Sequence, residues 1–204
     1  TRWSYSSGDS MLLSAVLRGA VGEADYAEFP WTAVFEPLGM QSARFERDAA
    51  GYYVGSSYFY ASAQDLARWA LLYLHDGVWD GQQIVAPGWV AYTLTMAPAY
   101  YTTDVPPGLY EENPGAQVYL NRGDPRRNIP KPWPSAPDDT FAALGHWGKS
   151  VYVIPSLDLI AVRLGDDREQ GCSPVAARPG CIADKTIAFT KDYYLELLTG
   201  LVQP

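Results

Sequence analysis

Two short stretches of this sequence combine residue types that can move protons and stabilise charge. The first is Tyr5-Ser6-Ser7, set directly before a segment of helical periodicity. A phenol and a hydroxyl two residues apart can both point into a cleft beside a helix N-terminus, where backbone N–H groups are unpaired and an anion is favoured. A phenol ordinarily titrates at about 10, yet adjacent ammonium groups stabilise the phenolate and make it a usable proton acceptor. The same residues also read as a capping loop, with Ser7 or Asp9 as N-cap and Tyr5 in a packing role. The second stretch is Gly145-His146-Trp147-Gly148-Lys149-Ser150, at the entry to a strand-rich region. A glycine on a strand commonly marks a close approach by a ligand or another backbone, which would turn the next amide, that of Lys149, toward the ligand. His146 taken alone is more often a satisfied structural histidine.

Other chemistry-bearing residues lead less far. Tyr58, Phe59 and Tyr60 can line an apolar pocket, although an aromatic cluster just before a helix also suits a core. Glu111 and Glu112 stand in a polar passage with no sign of the converging partner that a glycosidase pair needs. Asp166-Asp167 reads as a solvated turn. Thr1 invites comparison with N-terminal nucleophiles, but such folds want a long strand after the nucleophile, whereas Ser7-Gly8-Asp9 opens a helix. Cys172 and Cys181 lie close together in a Gly/Pro-rich stretch, and an even count in a loop context predicts a disulfide and a periplasmic or secreted location. A metal site is not expected, because the two histidines, His75 and His146, are remote from these thiols in sequence.

The elements that must position these groups follow from periodicity. Residues 9–21 carry Met11, Leu12, Ala15, Val16 and Ala20 at helical spacing, with Gly22 as the stop. A second helix is predicted over residues 24–35, ending at Pro37, and the segment Pro37-Leu38-Gly39-Met40 is expected to pack. Ser62-Ala63-Gln64-Asp65 is a capping-box variant that opens a helix with Leu66, Trp69, Ala70, Tyr73 and Leu74 on one face. Trp79-Asp80-Gly81-Gln82 predicts a tight turn between short extended pieces, and Pro87-Gly88 a short helix ending near Met96. Between 97 and 139 neither period holds, which predicts a long irregular excursion able to wall a site. Strands return from Phe141, with Pro155-Ser156-Leu157-Asp158 turning one strand into the next, and a last amphipathic helix carries Ile187, Lys191, Tyr194, Leu195, Leu198 and Leu201. Helices first, then strands, then one helix make an α+β plan: a helical lobe at 1–96, an irregular insertion at 97–140 and a sheet region at 141–204.

The chain has 204 residues, nearly half of them hydrophobic, and a formal net charge of −8. That charge, with no block of Lys or Arg, argues against nucleic acid. No apolar run approaches the roughly 20 residues that span a bilayer, and the start, which lacks Met, reads as that of a processed product or fragment. Neither a dinucleotide fingerprint nor a phosphate loop is present.

Four segments in order resemble the serine β-lactamase and penicillin-binding-protein family, especially class C enzymes, related esterases and 6-aminohexanoate-dimer hydrolases. They are Tyr5-Ser6-Ser7-Gly8-Asp9-Ser10 with Leu12-Leu13, then Pro37-Leu38-Gly39-Met40, then Ser62-Ala63-Gln64-Asp65-Leu66-Ala67-Arg68, then Gly145-His146-Trp147-Gly148. The resemblance covers about Trp3 to Leu164 and implies a β-lactamase/transpeptidase-like fold, an antiparallel sheet flanked by helices plus a helical lobe, incomplete at the N-terminus. It implies a serine hydrolase that forms an acyl-enzyme from a small-molecule amide or ester, with no cofactor. Tyr5 would relay protons, with Ser7 beside it. The Lys149 amide after Gly148 would serve the oxyanion hole, His146 would orient the substrate, and Trp147 and Tyr58 would contact it. Two departures stand out. Ser7 occupies the place where β-lactamases usually carry Asn, which favours a wider amidase or esterase reading, and no Ser-x-x-Lys occurs in the 204 residues. The nucleophile is therefore expected on a missing N-terminal segment of the same protein, this chain alone being inactive.

Overall fold

The computed structural model describes residues 2–102, 113–165 and 191–202. Cys172 and Cys181, Glu111 and Glu112, and Asp166 and Asp167 all lie outside the described residues. The chain forms two compact units, Thr1–Ala91 and Tyr92–Pro204.

In the first unit, α1 (Ser7–Val21) begins two residues earlier than its pattern suggests: Ser6, extended at φ −148°, is the cap, and Ser7 is already helical. Gly22 ends it as expected, its N–H donating to the Arg18 carbonyl at 3.0 Å. The orientation of α1 departs from expectation. Leu12, Leu13 and Val16 are exposed, and the face that packs carries Ser14 and the half-buried Arg18. Arg18 pairs with Glu23, donates to the Ala50 carbonyl at 2.9 Å and lies 4.5 Å from the Tyr52 ring centre. The helix expected over 24–35 is broken by Pro30, which has no N–H to donate and fits only a first turn. Turns precede it, and a short π-helical stretch, Trp31–Phe35, follows, closed by Glu36 N–H on the Trp31 carbonyl at 2.9 Å.

Strands β1 (Arg44–Phe45) and β2 (Phe59–Tyr60) pair antiparallel before α2 (Ala63–Leu74). Ser62 caps α2, its Oγ accepting the Asp65 N–H at 3.2 Å. Leu38 and Met40 are buried with Ala43 and Leu72 against Phe35, Phe59 and Trp69, so the Pro37-Leu38-Gly39-Met40 segment is core. Burial of a side chain of that size contributes roughly 1.5–3 kcal/mol. A hairpin of β3 (Val78–Trp79) and β4 (Gln82–Gln83) turns through Asp80 and Gly81, and α3 (Trp89–Thr93) leads into the second unit.

Asp65 does more than join the cap. Its buried carboxylate accepts the Ser42 N–H at 2.8 Å and the Ser42 hydroxyl at 2.5 Å, and it pairs with Arg68, clamping the 40–43 turn onto α2. Burial alone would raise its pKa, but the Ser42 hydroxyl and amide, with Arg68, hold it below the ordinary carboxylate value. A carboxyl depressed in the native state stabilises the fold above its unfolded pKa of about 3.9, and that contribution disappears as the pH falls through the native value. Asp65→Asn is therefore expected to cost about 2 kcal/mol at neutral pH. In urea melts followed downward from pH 5, the two proteins should converge below about pH 4. A gap that stays constant to pH 2 would show that the charge is irrelevant.

The second unit is an antiparallel meander of β5 (Asn113–Pro114), β6 (Tyr119–Leu120), β7 (Phe141–Leu144), β8 (Ser150–Ile154) and β9 (Leu159–Arg163), hydrogen-bonded in that order. Two of these strands arise inside the passage expected to be irregular, since a strand of two residues leaves no period to read. All of β8 is buried, which accounts for its unbroken apolar run. Helix α4 (Lys191–Val202) covers the face carrying Ala142, Tyr152, Ile154 and Ala161 with Tyr194, Leu195 and Leu198. Trp133 closes that core. Asp192 fastens the start of α4, accepting the Ser135 N–H at 2.8 Å and its hydroxyl at 3.0 Å. No helix among the described residues is long and apolar enough to cross a membrane.

Candidate active site

Each sequence-derived site residue is placed within its own unit. In the first, Tyr5 stands just before the cap of α1 and is 68% exposed, with no hydrogen-bond or ion-pair partner among the described residues. Ser7 follows at the first helical position, also exposed. Tyr58 lies on the loop that enters β2, 53% exposed and at φ +59°. That loop is pressed against α1: a Cβ at Gly55 would come within 2.8 Å of the Ser10 carbonyl, so only glycine allows the approach. The three consecutive aromatics divide as a strand requires. Phe59 turns inward, stacked on Phe35 at 5.2 Å and edge-on to Phe45 at 5.7 Å, while Tyr58 and Tyr60 remain exposed.

In the second unit the His146-Trp147-Gly148 motif corrects the sequence reading. It forms a tight 3-10 turn joining β7 to β8 rather than part of a strand. The register decides this. Leu144 is opposite Ser150, so the residues between them must reverse the chain, and the Gly145 N–H closes the loop on the Lys149 carbonyl at 2.8 Å. Trp147 takes φ +57° and ψ +42° and Gly148 φ +79°. Among the described residues, five of the seven non-glycine residues at positive φ are Asp, Asn or Gln; the exceptions are Tyr58 and Trp147. Aspartate and asparagine tolerate that conformation, whereas a bulky ring there is strained, which costs of order 1–3 kcal/mol and clusters at functional sites. Trp147 is also 50% exposed.

The turn collects positive charge. The Lys149 ammonium lies 5.3 Å from the Trp147 ring centre, a cation–π distance, and 3.5 Å from the carbonyls of His146 and Gly165. The His146 ring is 5.8 Å from that of Trp147. The Lys149 backbone N–H reaches the His146 carbonyl at 3.4 Å, beyond the usual N–H···O range of about 2.7–3.2 Å. One contributor was missed by sequence reasoning: Arg163, at the end of β9, donates from Nη1 to the Gly148 carbonyl at 2.5 Å. A lone guanidinium closing the apolar run Leu159-Ile160-Ala161-Val162 was the available signal. Tyr152, two residues beyond Ser150, is no proton carrier at neutral pH, since burial pushes its hydroxyl up to about 12. The structure thus gathers His146, Trp147, Gly148, Lys149 and Arg163 into one turn, while Tyr5, Ser7 and Tyr58 belong to the first unit.

A family model described as Beta-lactamase matches residues 1–171. The chain belongs to the Beta-lactamase family. Solved structures agree in fold. A candidate 6-aminohexanoate-dimer hydrolase from Bacillus anthracis superposes with a TM-score of 0.59 at 19% identity, over 79% of this chain and 38% of that one. A beta-lactamase from Mycobacterium bovis gives 0.57 at 22% identity, over 79% and 56% respectively. An octameric penicillin-binding protein homologue from Pyrococcus abyssi gives 0.52 at 17%, over 79% and 38%. This Beta-lactamase family chain therefore has the β-lactamase/transpeptidase-like combination of helices and antiparallel sheet, within a family of serine hydrolases, and spans 38–56% of the length of those solved chains. No curated protein matches it.

Proposed function

We propose that the complete protein is a serine hydrolase that cleaves a short amide or ester through an acyl-enzyme, with the nucleophilic Ser and its activating Lys on a segment upstream of these residues. The observation that carries this reading is the β7–β8 turn, which ends on an amide N–H with only a distant internal acceptor, inside a chain whose motifs follow the family order. In the reaction the Ser oxygen adds to the substrate carbonyl and the oxyanion is held by the Lys149 N–H together with that of the nucleophile. Tyr5 carries the proton to the departing amine or alcohol, then takes one from the water that hydrolyses the acyl-enzyme. Two further observations support an upstream partner: no Ser-x-x-Lys occurs in the 204 residues, and the apolar stripe Leu12, Leu13 and Val16 of α1, immediately after Tyr5, is exposed.

Ser7 carries the substrate assignment, since a hydroxyl replaces the longer amide that stands there in β-lactamases. With the complete protein, a nitrophenyl ester and a linear amide are expected to be hydrolysed at least about tenfold faster than a chromogenic cephalosporin, a difference of ~1.4 kcal/mol in transition-state binding. Preferential cephalosporin turnover would overturn the substrate class. A fluorophosphonate probe should label the upstream Ser, and no labelling together with no turnover would leave a non-catalytic binding module on the same fold.

A further inference from the structure

The Gly148 carbonyl and the Lys149 N–H belong to one peptide unit. A trans peptide is planar, with its C=O and N–H pointing in opposite directions, so whatever fixes the oxygen also aims the hydrogen. From the N–H side that unit is loosely held, its His146 acceptor being 3.4 Å away. From the oxygen side it is held firmly, by a charged donor at 2.5 Å from Arg163. We infer that Arg163 is the positioning residue of the oxyanion donor, anchoring the Gly148–Lys149 peptide by its carbonyl and polarising its N–H toward the substrate.

Three features of the second unit support the assignment. Arg163 is opposite Ser150 in the β8–β9 register, so its side chain starts beside the first residue after the turn. Gly165 leaves the guanidinium its place: a Cβ there would stand 2.9 Å from Arg163 Cζ and Nη2, so a side chain at this position would make the group shift. The turn itself needs an external hold, because Trp147 and Gly148 both occupy left-handed backbone and Trp147 does so under strain. A hydrogen bond from a cation to a peptide oxygen also strengthens donation by the N–H of the same unit, and the gain is largest away from bulk water. Arg163 touches no reacting atom; it acts through Lys149.

This inference rests on the hydrolase reading for its kinetic consequence, and the test separates the two. In the complete protein, Arg163→Met is expected to lower kcat for a nitrophenyl ester roughly 10–100-fold with KM within about twofold, less than the 10²–10³ typical of deleting an oxyanion donor outright. Arg163→Lys, which keeps a cationic donor, should recover most of the loss. Gly165→Ala, which displaces the guanidinium with the arginine still present, should lower kcat in the same direction by a smaller factor. An unchanged kcat in Arg163→Met, equal loss in Arg163→Met and Arg163→Lys, or full activity in Gly165→Ala would each overturn the assignment. The Lys149 amide resonance, identified in a ¹⁵N-lysine-labelled sample by its disappearance in Lys149→Arg, gives a readout independent of turnover. It should move upfield in Arg163→Met and stay near its native position in Arg163→Lys. If the unsubstituted protein hydrolyses nothing, the hydrolase reading fails while this resonance still decides the role of Arg163, and an unmoved signal sinks it.

Discussion

Tyr5→Phe in the complete protein is expected to lower kcat for a nitrophenyl ester by about 10²–10⁴-fold, the range that a positioned proton-transfer group contributes. The case for a large functional effect with little structural cost comes from the surroundings of the ring. Tyr5 is 68% exposed and precedes the α1 cap, and removing its hydroxyl breaks no hydrogen bond among the described residues. A packing residue would show the opposite signature, a lowered melting temperature and an intact rate. Steady-state kinetics and a thermal melt on the same sample distinguish the two. Labelling by a fluorophosphonate should survive in Tyr5→Phe, because the proposed nucleophile is a different residue, and vanish when that proposed upstream Ser is replaced. A kcat within twofold of the unsubstituted enzyme would remove Tyr5 from the mechanism and with it the first half of the proposed site.

The largest stability effect is expected at a residue with no role in the chemistry. Asn121, fully buried after β6, donates from Nδ2 to the carbonyls of Trp133, Ala136 and Pro137 at 2.9, 3.2 and 3.0 Å, and its Oδ1 accepts the Trp133 N–H at 2.8 Å. One side chain thus satisfies four backbone groups of the 133–137 loop, the loop that supplies Trp133 to the core beneath α4. Each of the three carbonyls also accepts a second donor, the Ala136 N–H on Trp133 at 3.1 Å, Lys131 Nζ on Ala136 at 2.7 Å and the Thr140 N–H on Pro137 at 3.1 Å, whereas the Trp133 N–H is shown with Asn121 Oδ1 as its acceptor. Asn121→Ala leaves the buried Trp133 N–H without that acceptor, at about 1–3 kcal/mol, and removes one of two donors from each carbonyl, so a loss of roughly 2–4 kcal/mol is expected in urea denaturation. Asn121→Asp should be no better, since a carboxylate keeps the acceptor but turns a negative oxygen on three carbonyls. A loss below about 1 kcal/mol in Asn121→Ala would mean that the loop finds other donors.

How much of this was legible beforehand differs from element to element. Helix α2 was read with its cap because Ser62 and Asp65 are three residues apart and the apolar face behind them is regular. The Pro155–Leu157 turn was read because proline and a following Asp in left-handed backbone are local signals. The second expected helix failed at Pro30, where a local rule applied and the apolar spacing on either side concealed it. Strands β5 and β6 carry two residues each, too few for alternation, and only their pairing in series with β7 makes them strands. The His146-Trp147-Gly148 motif was found but taken for strand, because whether those residues continue or reverse the chain depends on Leu144 meeting Ser150.

The sequence by itself determined which chemistry is available: a phenol before a helix, a glycine-flanked amide before a strand, the family order of four motifs, and the lack of any Ser-x-x-Lys in this stretch. Those are properties of residue type and short spacing, which side-chain chemistry and helix or turn propensity register over a handful of positions. The tertiary structure alone decided that α1 exposes its apolar stripe and packs on Ser14 and Arg18, that Asp65 serves Ser42, that Asn121 holds a loop twelve or more residues away, and that Arg163 takes the Gly148 carbonyl. Each of these is a contact between residues far apart in the chain, made possible by register and burial, and a polar side chain reveals its partner only when the fold has removed water and left it one place to bond.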